Sequence, residues 1–368
     1  MSELSSWDDY PVHQIAEPVR HVGTSDRNFY DRYYFNLHGS SGELFLVMGL
    51  AQYPNLGVQD AFAVVRRGPL HRVVRASRAL GDRMDSRVGP FRVEVVEPLR
   101  KLRVKLDETE HGLSFDLLWE GSVPAIQEPK HFIRKYGRVL FDCSRFGQTG
   151  RWSGSLTIGG ETTEITPDRW KGARDRSWGV RPVGEAEPPG IRGPEPQMTG
   201  MWIYAPMQFD DHTIHCLFNE TNDGRRPLQE AVRVWSDPKR APEPLGRPDC
   251  RHTITPGTRM IEASVLCFPD APGGAFEVQV TPLTHCFIAI GTGYGVDPDW
   301  RHGMYQGDLV VQGRDWNHAE LTPLGQLALV EHVARFEYGG HVGYGLFEHA
   351  FIGAFDRYGI TGGTYGGR

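Results

Sequence analysis

The chain has 368 residues, 39% of them apolar, with 44 glycines, 26 prolines and a formal charge of -6. That length exceeds one ordinary domain and suits two of about 150–200 residues, and the glycine and proline content points to short strands joined by turns rather than to helices. The acidic balance excludes the electrostatic footprint of a nucleic-acid binder or of an anionic-membrane binder. No apolar run reaches the ~20 residues that span a bilayer. Residues 1–10 are polar and acidic, without an apolar signal core, so a soluble, cytoplasmic protein is expected. The five scattered cysteines, Cys143, Cys216, Cys250, Cys267 and Cys286, contain no CxxC pair and read as buried thiols in a reducing compartment.

In chain order, the first forty residues read as irregular, with an aromatic run at Phe29, Tyr30, Tyr33, Tyr34 and Phe35. Residues 44–50 form a continuous apolar run that fits a buried strand, 61–65 fit a second, and 73–80 fit a strand or a short helix. The clearest alternation follows at Phe91, Val93, Val95, then Leu102, Val104, Leu106, then Phe115, Leu117, Trp119. Lys101, Arg103 and Lys105 point the other way, and this period of two predicts an antiparallel meander with one face in a core. A loop holding Pro124 and Pro129 leads into residues 146–154, which include Gln148, and then a strand at 155–158.

Residues 170–182 stand apart. Three arginines, a lysine, an aspartate and two tryptophans share thirteen positions with neither helical nor strand alternation, so the segment reads as a site or as a structural clasp. Residues 183–196, rich in proline and glycine, read as a domain linker or lid. The second half restarts with a hairpin, 201–209 and 213–219 around Asp210-Asp211, that brings Trp202, Tyr204 and His215 to one face of a sheet. Further strands are predicted at 231–235, 260–267, 277–280, 286–290, 335–338 and within 339–353. The whole describes an all-β chain of two antiparallel barrels or sandwiches side by side.

The run Asp175-Arg176-Ser177-Trp178-Gly179, followed by Trp202-Ile203-Tyr204 and Asp210-Asp211, resembles the signature of the AttH and carotenoid 1,2-hydratase (hydroxyneurosporene synthase) superfamily. Gly345-Leu346-Phe347-Glu348 and Gly353 are similar to its closing strand. The resemblance implies two lipocalin-like β-barrels, divided here as 1–185 and 186–368, around an apolar cavity. It also implies hydration, isomerisation or cyclisation of a hydrophobic small molecule such as an isoprenoid, steroid or polyketide. Arg176 stands where the superfamily pattern has histidine, and a guanidinium with pKa above ~12 is no proton donor.

Moving a proton on an alkene or enol needs a donor and an acceptor shielded from water. Asp175 and Glu348, if desolvated, have the required chemistry, with Tyr204 and His215 as further catalytic candidates. Trp178 and Trp202 would line the substrate with π faces, and Arg176, Gln148 and Tyr344 are candidates for binding it. A structural ion pair of Asp175 with Arg174, Arg176 or Arg181, plugged by Trp178, is the competing reading. So is a carrier or sensor that holds a hydrophobic ligand unchanged. His332, His341 and His349 near Glu331 and Glu348 lack metal-ligand spacing, so no metal is expected. The segment 291–295 lacks the rest of a phosphate loop, so no nucleotide or other cofactor is implied.

Overall fold

The computed structural model describes residues 4–135, 137–184 and 200–361. The proline-rich linker at 183–196 therefore lies almost wholly outside the described residues. Among those described, fourteen strands build one antiparallel sheet and nine build another. One sheet curls almost into a barrel and the other into a half-barrel, so the chain is all-β.

The first sheet runs in space through Leu309–Asn317, Leu70–Ala79, Val58–Arg67, Leu44–Tyr53, Phe29–His38, Lys171–Val180, Arg138–Ile158, Leu113–Gly121, Lys101–Leu106, Phe91–Glu97 and Arg87–Val88. The alternating meander is present as read, with Val93 opposite Val104 and Val104 opposite Leu117. Residues 73–80 belong to a strand, which settles that ambiguity for all but its last residue. The Leu309–Asn317 strand crosses from the second half of the chain to pair with Leu70–Ala79. The second sheet runs through Glu243–Pro244, Leu228–Trp235, His212–Glu220, Gly200–Gln208, His341–Ile352, Val330–Tyr338, Phe276–Cys286, Ile261–Phe268 and Asp249–Ile254.

Three sequence readings are corrected. Residues 29–38, read as irregular, form a strand in the middle of the first sheet, and the segment read as lacking alternation is its neighbour, Lys171–Val180. Neither shows a polar stripe because both faces are largely covered, Trp178 being the exposed exception. In addition, 286–290 is not a strand: the ladder ends at Cys286 and Phe287 opens a turn.

Each sheet packs one face on its own core, and burial of each large apolar side chain there contributes about 1.5–3 kcal/mol. In the first core Phe35 meets Trp119 and Trp152 edge-on, the two indoles lying 5.0 Å apart. The second core is centred on Met201, Ile203, Phe218, Phe336 and Phe347. The opposite faces of the two sheets meet in a third cluster of Tyr34, Phe45, Val47, Phe62, Trp202, Tyr204, Leu217 and Val333. Strand alternation decides this division: Phe35 enters the first core, while Tyr34 enters the layer between the sheets. Cys143, Cys216, Cys250 and Cys286 are buried free thiols, and Cys267 is partly exposed.

Candidate active site

A cavity of about 160 Å³ opens in the layer between the sheets. It lies outside the separate core of each sheet. The central strands of the first sheet supply Tyr30, Arg32, Tyr34, Arg145, Asp175 and Ser177, and the second supplies Trp202, Tyr204 and Glu348. Glu128, His131, Arg181 and Tyr294 reach it from segments flanking these strands. Tyr34 lies opposite Asp175 and Tyr204 opposite Glu348 in their ladders, so cross-strand pairing aims these groups at the same space.

Glu348 is 9% exposed and accepts a 2.5 Å hydrogen bond from Trp202 Nε1. Burial pushes its carboxyl above the ordinary range, with the indole bond and Arg145 opposing. Directly across the ladder is Glu331, fully buried, with Tyr34 and Glu348 as its polar neighbours and no basic partner among the described residues. An ionised carboxylate so placed would cost several kcal/mol. Burial, reinforced by Glu348, holds Glu331 well above the usual range. Two carboxyl groups in one dry site do not readily ionise together, so they titrate as a pair. Asp175 is also raised by burial, against Arg145, Arg32 and Arg181.

The basic groups are arranged unevenly. Arg145 forms an ion pair with Glu128 and lies 4.6 Å from the Tyr204 ring centroid and 5.3 Å from that of Trp202. Glu128 also meets His215 Nε2 at 2.9 Å. The pairing with Arg145 and His215 outweighs the burial of Glu128 and keeps its carboxyl below the ordinary range. Burial lowers His131 to about 4, leaving its imidazole neutral with Nε2 unpartnered. The Tyr204 hydroxyl is likewise buried without a partner. Because Arg145 stacks on the Trp202 and Tyr204 rings, their π faces are already engaged with a cation. Arg32 and Arg181 bring two further guanidinium groups to the cavity wall.

A family model matches residues 4–361. The chain belongs to DUF8625, a family of unknown function. No curated protein matches it by sequence. Among solved structures, a candidate AttH protein from Nitrosomonas europaea aligns over 93% of this chain and 98% of its own, with TM-score 0.55 and 13% identity. Kievitone hydratase from Nectria haematococca aligns over 90% and 93%, with TM-score 0.52 and 13% identity. CghA with Sch210972 aligns over 88% and 89%, with TM-score 0.50 and 10% identity. At these identities the likeness concerns the fold alone, an all-β architecture that the chain shares with these proteins.

In this DUF8625 chain the residues singled out from sequence divide in two. Asp175, Trp202, Tyr204 and Glu348 line the cavity, and His215 stands one layer behind, edge-on to Tyr204 at 5.2 Å. Arg176, Trp178, Gln148 and Tyr344 do not line it. Arg176 and Trp178 occupy the face of their strand opposite to Asp175 and Ser177. Arg176 pairs with Asp31 and lies over the Tyr33 ring, while Trp178 is 37% exposed beside Phe146. Gln148 is spent on the carbonyls of Leu99 and Val123 and on Arg174. Tyr344 sits over Lys171. The clasp reading of Asp175 is not observed: Arg174 bonds to Gln148, Arg176 pairs with Asp31, and Arg181 lies 4.3 Å from the Tyr30 ring centroid.

Sequence reasoning missed Arg32, Glu128, His131, Arg145 and Tyr294, and named Arg181 only as an ion-pair partner for Asp175. The aromatic run at 29–35 and the segment 170–182 carried the signal for this region. The metal expectation also needs detail, because His332 and His349 stack 5.1 Å apart inside the fold while His341 is elsewhere, near Asp211 and His212. No helix among the described residues is long and apolar enough to cross a membrane.

Proposed function

We propose that this protein is a cofactor-independent acid/base enzyme of the hydratase, isomerase or cyclase kind, acting on a hydrophobic small molecule in the cavity between the sheets. The observation that carries the reading is Glu348: a buried carboxyl, oriented by an indole N–H and backed by a second buried carboxyl, on the wall of a hollow. Such a group is neutral at the pH where an ordinary glutamate has lost its proton, which is what a general acid requires. Glu331 would supply the replacement proton. Asp175 on the facing sheet, beside three guanidinium groups, would serve as the complementary base, and the Tyr204 hydroxyl as a donor to a substrate oxygen.

The cavity volume limits what reacts there. About 160 Å³ matches the space that holds a benzene-sized molecule, so only the reacting ring or unsaturated end of an isoprenoid, steroid or polyketide would enter. The test is to incubate the protein with enones, enols and polyenes in deuterated water and follow products by mass spectrometry. Hydration adds one water, and isomerisation or cyclisation incorporates solvent deuterium without other change in formula. Glu348→Gln or Asp175→Asn is expected to lower turnover at least about a hundredfold with the fold retained. Tight retention of an unchanged compound by wild type and both variants alike would make the protein a carrier.

A further inference from the structure

The cavity holds more positive hydrogen-bonding capacity than the protein itself uses. Arg32 is 2% exposed, yet its Nη2 has no hydrogen-bond partner. Its Nη1 reaches only His302 Nδ1, at 3.4 Å. His302 Nε2–H donates to the Thr292 carbonyl at 3.0 Å, which leaves Nδ1 as an acceptor. The guanidinium lies 4.6 Å from the Tyr294 ring centroid and 5.5 Å from that of Phe62. Arg181, on the same cavity wall, forms no ion pair among the described residues and contacts Tyr30 through its π face. Asp175 lines the cavity but forms no ion pair with either arginine, and Asp60 behind Arg32 is engaged by Tyr53 and the Gly303 amide. A buried guanidinium with a free edge is rare, because an unmade bond to a charged donor is costly.

We propose that Arg32 and Arg181 form an anion subsite, and that the substrate presents a carboxylate, or an enolate oxygen formed during reaction, to this edge of the cavity. A planar pair of oxygens matches the guanidinium fork. Placement opposite Glu348 separates the two tasks: the arginines hold the oxygen on which negative charge sits, and the neutral carboxyl delivers its proton to carbon. This deepens the reading of the cavity as a substrate site and rests on it.

The test uses benzoate and benzamide, planar probes of matched size that suit the volume. Dissociation constants for the full chain are measured by ligand-observed NMR titration at pH 7. Benzoate is expected to bind at least tenfold more tightly than benzamide, and Arg32→Gln to reduce that advantage to under threefold without changing the benzamide constant. Arg181→Gln, at a half-buried position, carries the same expectation if Arg32→Gln fails to fold. Equal affinities, no binding of either probe, or an advantage that survives both substitutions overturns the proposal. The titration involves no chemical step, so undiminished turnover in Glu348→Gln would sink the acid/base reading alone and leave this result standing.

Discussion

At the scale of single residues, the buried ionisable groups dictate how the protein responds to mutation and pH. Glu128 neutralises Arg145 and receives His215, all three inside the fold. Glu128→Ala strands that guanidinium and should cost about 3–5 kcal/mol in denaturant unfolding, the usual penalty for breaking a buried pair; a loss below 1 kcal/mol would mean the pair is solvated. Glu331 acts in the opposite direction. Its folded pKa is raised well above the ordinary 4.5, so the folded state keeps a proton the unfolded chain releases. The stability this gives is fully present below pH about 4.5 and is lost as pH rises through the folded value. Glu331→Gln carries no such term, and its Tm should exceed that of wild type by a margin that widens from pH 5 to pH 8. A margin independent of pH would show that Glu331 is ionised in the folded protein.

At the scale of elements, two neighbouring strands bring most of the first sheet's cavity groups into place, and these two were the hardest to see in the sequence. The meander of Phe91–Glu97, Lys101–Leu106 and Leu113–Gly121 was legible because one face meets water and alternation survives. In Phe29–His38 one face enters the first core and the other the cavity layer, so Tyr33 and Phe35 alternate with Arg32, Tyr34 and Asn36 and no polar stripe remains. Lys171–Val180 hides its pattern in the same way, with Asp175 and Ser177 on the cavity side and Arg174 and Arg176 behind. The hairpin of Trp202, Tyr204 and His215 was readable because local pairing alone sets its register. Arg32 and Arg145 were not, since their convergence depends on pairings between distant strands. Close approach of the two hidden strands depends on Gly172, where a methyl group would overlap the Asn36 carbonyl oxygen and lie 2.8 Å from Trp152 Nε1. That nitrogen donates to the same carbonyl at 2.8 Å. Gly172→Ala should therefore destabilise by about 1–3 kcal/mol, as overpacking does, and a neutral effect on Tm would show that the strands can separate freely.

At the scale of the whole molecule, the fold is two sheets that turn their cores away from each other and enclose between them a largely apolar layer in which the ionisable cavity groups are set. That layer, and the return of Leu309–Asn317 to the first sheet, tie the two halves together. The molecule also buries several neutral imidazoles: burial lowers His71, His131, His318 and His349 to about 4. A depressed folded pKa gives stability that is present above the unfolded value of 6.5 and is lost as pH falls toward 4. The unfolding free energy should drop steeply between pH 6.5 and 4.5, by on the order of 1 kcal/mol per such histidine per pH unit, with Tm falling in step, and a flat Tm profile there would contradict their burial. The function proposed for the layer requires that it keep Glu348 dry enough to hold its proton at neutral pH. Difference infrared spectroscopy of wild type against Glu348→Gln at pH 7 observes that proton directly. The expected result is a protonated-carboxyl C=O band in wild type that is missing from the variant; loss of a carboxylate band alone would mean that Glu348 is ionised and cannot be the acid.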